Sequence, residues 1–176
     1  VFLDLKFHDI PHQVKGAAKA AAEAGADMLT MHAVGGIAMM EAAKAGLLEA
    51  RWVEQEPISL GITVLTSMSE EDLQRTGVTR TVKDQVVALA TQAKQAGLSG
   101  VVASPQEAAM LREVLGPEAY IVTPGVRPAG AALGDQSRVA TPQQAFDNGA
   151  SHIVIGRPIT EQADPAAAFE AIAKEL

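Results

Sequence analysis

Short β-branched and apolar runs alternate along the chain with Ala-rich segments whose apolar positions recur at helical spacing. This pattern predicts strands near 1–6, 28–33, 58–65, 99–103, 119–123 and 152–155, with helices near 12–24, 35–47, 80–96, 105–115, 141–148 and 164–175. Gly25, Gly46 and Gly97 suit helix C-termini. Ser69-Glu70-Glu71-Asp72 reads as the start of a short helix, with Ser69 and Asp72 in capping-box positions. Met28, Met31, Met39 and Met40 read as core packing. Strand–helix alternation implies parallel strands covered by helices, and the run Ile153-Val154-Ile155 reads as a strand buried on both faces.

Such a sheet is either open and doubly wound or closed into a barrel. Polar residues recur at the C-terminal ends of nearly every predicted strand: Asp4 and Lys6, His32, Thr66, Ser104, Arg127 and Arg157. In a βα-barrel those ends share one rim. An open nucleotide-binding sheet would instead carry a Gly-rich first turn, and no G-x-G-x-x-G occurs. The reading is therefore an α/β (β/α)8 TIM barrel. The chain supplies roughly its last six βα units as a single domain over residues 1–176, with the first two units absent before Val1.

Composition narrows the classes. With 48% hydrophobic residues in 176, one well-buried domain is expected. A net charge of −7 disfavours nucleic acid or an anionic membrane as the main partner. There is no cysteine, hence no disulfide, thiolate nucleophile or zinc–thiolate site. No apolar run approaches the roughly 20 residues that span a bilayer, so the expected compartment is the cytoplasm.

Chemistry concentrates in the first eleven residues. Asp4 and Lys6, two apart in an apolar strand, point to the same face, with Leu3 and Leu5 pointing to the other. Charges facing an apolar interior cost too much in desolvation, so the pair marks a polar site at a strand end. A carboxylate so close favours the ammonium over the free amine, which argues against Schiff-base chemistry. His8 and His12 have the spacing of helical zinc ligands, but Pro11 opposes regular helix across them, and no metal pair is assigned. His32 suits an orienting hydrogen bond, and His152, at the opposite rim, a structural role.

The segment Asp4-Leu5-Lys6-Phe7-His8-Asp9-Ile10-Pro11 resembles the D-x-K-x-x-D-I-P signature of the orotidine 5′-monophosphate decarboxylase family. Thr63-Val64-Leu65-Thr66-Ser67, Thr123-Pro124-Gly125-Val126-Arg127-Pro128, Gly134-Asp135-Gln136-Ser137-Arg138 and Ile155-Gly156-Arg157-Pro158-Ile159 resemble its bacterial branch in order and spacing. The resemblance implies decarboxylation of a pyrimidine nucleotide to UMP and CO2 without a cofactor. Lys6 would protonate ring carbon 6, Asp4 would keep Lys6 charged and crowd the leaving carboxylate, and Asp9 would reach into a neighbouring subunit's site. That last role implies a homodimer with shared active sites, whose pocket Ile10 also lines.

By the same resemblance Thr66 bonds the pyrimidine edge, while Pro124, Arg127, Gln136, Gly156 and Arg157 complete the substrate site. The phosphate would meet backbone N–H groups at the helix start after Gly156 and the fork of Arg157. The long connection from Pro124 to Ala140 reads as a lid that gives Gln136 its contact.

The chain departs from the family at His12-Gln13, where many members have Asn-Thr; Gln13 can still hydrogen-bond substrate. The family's first-strand Asp and second-strand Lys are absent, so a protein of these 176 residues alone is expected to be nearly inactive. Two other readings compete: a metal-dependent sugar-phosphate decarboxylase or synthase of the same superfamily, and a non-catalytic barrel that binds a phosphate ligand.

Overall fold

A computed structural model describes residues 1–51, 55–128, 140–174 and 176. In chain order the elements are β1 (Phe2–Phe7), α1 (Pro11–Glu23), β2 (Met28–His32), α2 (Ile37–Leu48), β3 (Ile58–Ile62), α3 (Glu70–Arg75), α4 (Val82–Gln95), β4 (Gly100–Val102), α5 (Ala108–Leu115), β5 (Tyr120–Thr123), α6 (Pro142–Asp147), β6 (His152–Ile153), α7 (Arg157–Thr160) and α8 (Pro165–Ala173). The predicted strands and helices are all present.

The sheet is parallel with strand order β1-β2-β3-β4-β5-β6. A doubly wound sheet reverses its order at a switch point; a strictly sequential order is that of a barrel wall.

Alternation along the strands separates two apolar layers. Leu29, Met31, Val101 and Ile121 face the helices and pack with Val14, Ala18, Met39, Met40, Val86, Leu89 and Leu111. Met28, Leu60 and Val122 form the opposite layer, with Ile58, Val102 and Tyr120 against it. All four methionines are buried in one or other layer, as the pattern predicts.

Helix starts follow local chemistry. Ser69 Oγ accepts from the Asp72 N–H at 3.1 Å and Asp72 Oδ2 from the Ser69 N–H at 3.1 Å, which closes the predicted capping box on α3. Thr141 and Gln144 close a second box on α6, and Thr81 caps α4. Gly25 and Gly97, with φ of 89° and 74°, follow α1 and α4 in the left-handed region that glycine adopts without steric cost.

Three expectations are corrected. Gly46 lies inside α2, where a Cβ would collide with the Lys15 carbonyl of α1; it is a contact glycine between helices. Leu5 is 59% exposed and Phe7 joins Leu3 beside the core, because β1 is irregular between Leu3 and Phe7. The run 153–155 is not buried on both faces: Val154 is 39% exposed, since β6 ends the sheet and regular pairing covers only His152 and Ile153.

Candidate active site

At the C-terminal mouth of the strands, Asp4, Lys6, Thr66 and Pro124 line one cavity of about 250 Å³. Ile62, Val102 and Val122 form part of its apolar lining, and Ser67 and Val154 also border it.

The irregularity in β1 positions the ion pair. Leu3 pairs with Leu29 and Phe7 with Met31, so Asp4, Leu5 and Lys6 stand opposite Thr30 alone. Lys6 has φ of 55°, the sole positive value at a non-glycine among the described residues. Its Nζ donates to Asp4 Oδ2 at 2.5 Å, both side chains being nearly half exposed. The Thr30 hydroxyl donates to Asp4 Oδ1 at 2.8 Å and accepts from the Lys6 backbone N–H at 3.0 Å. Sequence reasoning did not single out Thr30. Its one signal is parity, since it shares a strand face with Met28 and His32 in an otherwise apolar run.

His32 ends β2 with its ring 5.5 Å from that of His8. Burial, then the charges of His8 and Lys6, push the His32 imidazole below its ordinary value, with Asp4 opposing. His152 lies at the start of β6, its ring 5.7 Å from that of Tyr120, in agreement with its expected place away from the mouth.

The other predicted site residues are not in the cavity wall. Asp9, Ile10 and Gln13 are exposed along the turn into α1, where Asp9 Oδ1 accepts from the Ile10 N–H at 2.6 Å. Arg127 is buried and donates from Nη1 to the Val126 carbonyl at 2.9 Å, while its backbone N–H donates to the Ala140 carbonyl. Gly156 and Arg157 are exposed at the start of α7. Gln136 lies outside the described residues. Among those described, no cluster of three or more His, Asp or Glu could hold a metal ion, and no helix is long and apolar enough to cross a membrane.

A lysine ammonium beside a carboxylate, over an apolar floor and open to solvent on one side, can donate a proton to carbon and crowd a second anion placed next to Asp4. Comparison with known proteins gives the family. Residues 1–172 match the model described as "Orotidine 5'-phosphate decarboxylase / HUMPS family". The whole chain is 54% identical to an orotidine 5′-phosphate decarboxylase of Moorella thermoacetica and 52% identical to one of Shewanella sediminis, spanning 71% and 74% of their lengths. A crystal structure of orotidine 5′-phosphate decarboxylase from Lactobacillus acidophilus superposes with a TM-score of 0.86 at 43% identity, over 99% of this chain and 74% of that one. With its sequential parallel sheet and its Asp-x-Lys mouth, this chain belongs to the orotidine 5′-phosphate decarboxylase / HUMPS family.

Proposed function

We propose that this protein is a lyase that converts orotidine 5′-monophosphate to UMP and CO2 in pyrimidine biosynthesis. The observation that carries the reading is the Asp4–Lys6 pair, held at 2.5 Å on the mouth of the cavity in a chain 54% identical to a decarboxylase of that name. The bond from ring carbon 6 to the carboxyl group breaks and CO2 departs, leaving the electron pair on carbon 6. Lys6 Nζ supplies a proton to that carbon and is reprotonated from solvent. Asp4 is the counter-ion of Lys6 and stands against the departing carboxylate, favouring its loss.

Thr66 and Pro124 flank the same cavity and suit the pyrimidine. We assign Arg127, Gln136, Gly156 and Arg157 to the phosphate end. Asp9, Ile10 and Gln13 complete the pocket of a second copy, in a cytoplasmic homodimer with shared sites; their exposure outside the cavity wall supports that assignment.

Loss of the orotate absorbance, followed in excess chelator for the wild type and Lys6→Ala, tests the reading. Turnover that survives the chelator and falls at least about 1,000-fold in the variant is expected. Chelator-sensitive turnover would transfer the protein to a metal-dependent sugar-phosphate class.

A further inference from the structure

We propose that Thr30 is a positioning residue for the reaction: its hydroxyl clamps the Asp4 carboxylate and the Lys6 backbone together and so sets where the ammonium stands. The proposal rests on the reading of Asp4 and Lys6 as the reacting pair. Three residues of β1 face one residue of β2 here, and the regular ladder has no partner to offer the Lys6 N–H. Thr30 Oγ1 takes that N–H at 3.0 Å and spends its only proton on Asp4 Oδ1 at 2.8 Å. Thr30 is 0% exposed, whereas the Lys6 and Asp4 side chains are 44% and 46% exposed. The fixed member of the trio is therefore the threonine, and the two charged groups take their placement from it. Removing the hydroxyl frees Asp4 Oδ1 and leaves a left-handed Lys6 with no acceptor for its N–H. The ammonium then shifts while the cavity lining formed by Ile62, Thr66, Val102 and Pro124 stays.

The test uses the full-length protein with Thr30→Val, which keeps the shape and removes the hydroxyl, and Thr30→Ser, which keeps the hydroxyl. In Thr30→Val kcat is expected to fall about 10- to 100-fold with KM changed less than about 3-fold, because placement of the reacting group is lost and substrate contacts are not. Hydrogen exchange at the Lys6 amide should accelerate at least about 10-fold. Thr30→Ser should restore both readouts to within about 3-fold of wild type. If Thr30→Val does not fold, Thr30→Ala is judged by the same criteria.

An unchanged kcat, a loss carried by KM, or equal losses in the Ser and Val variants would each overturn the proposal. Absence of wild-type turnover would instead defeat the functional reading, and the exchange of the Lys6 amide would still report on the clamp.

Discussion

Lys6 pays for its position. A left-handed conformation costs a non-glycine residue about 1–2 kcal/mol, whereas an ion pair as exposed as Asp4–Lys6 contributes about 0–1 kcal/mol. The pair therefore does not offset the strain by itself; the two Thr30 hydrogen bonds, each worth about 1 kcal/mol net, close the difference. Strain retained at a cavity mouth points to chemistry more than to stability.

His32, next to this pair, gives a pH prediction. Folding holds its imidazole below the ordinary value of 6.5, so below that pH the unfolded chain binds a proton that the folded one does not. Stability is thus complete above the ordinary value and falls as pH drops from there toward the lowered one. The urea midpoint of the wild type should decrease more between about pH 7.5 and about pH 5.5 than that of His32→Gln. Equal decreases would remove His32 as the source.

At the scale of elements, α1 and α2 meet where Gly46 faces the Lys15 carbonyl. A glycine inside a helix ordinarily gains about 1 kcal/mol on replacement by alanine. Here the added methyl meets backbone that cannot turn aside, and Gly46→Ala should instead destabilise by about 1–3 kcal/mol, read from the urea midpoint at constant m. A stabilised variant would mean that the helices separate at little cost. A second tie, at the opposite end of the strands, is Arg112, whose guanidinium donates to the carbonyls of Gly116, Pro117, Ala119 and Gly149 at 2.7–2.9 Å. It joins the α5–β5 turn to the turn before β6.

For the whole molecule, the sequential sheet brings Asp4, Thr66 and Pro124 to one mouth from segments far apart in the chain. The exposed Asp9, Ile10 and Gln13 give the proposed shared site a direct test. Lys6→Ala and Asp9→Ala, each inactive alone, should on mixing recover about a quarter of wild-type activity. In about half the dimers one site then draws intact Lys6 and Asp9 from different subunits. No recovery after verified subunit exchange would place Asp9 in its own subunit's site.

The sequence by itself determined the elements and their class. Apolar periodicity placed β1 to β6, the caps at Ser69 and Thr81 need only neighbours three residues away, and the ordered motifs identify the family. Asp4, Lys6 and Thr66 were legible as site candidates because charge or hydroxyl at the end of an apolar strand is a local signal. Tertiary structure alone decided the rest. The strand period of two placed Leu5 with Leu3, but the bulge against β2 turns it outward and forces Lys6 into the left-handed region. Gly46 carries the same letter whether it ends a helix or admits another, and the Lys15 carbonyl it admits is visible only once α1 is packed. Thr30 and Arg112 act through partners up to 26 and 37 residues away. Local patterns encode propensity and burial, whereas a hydrogen-bond partner across strands is set by register, which depends on every element between them.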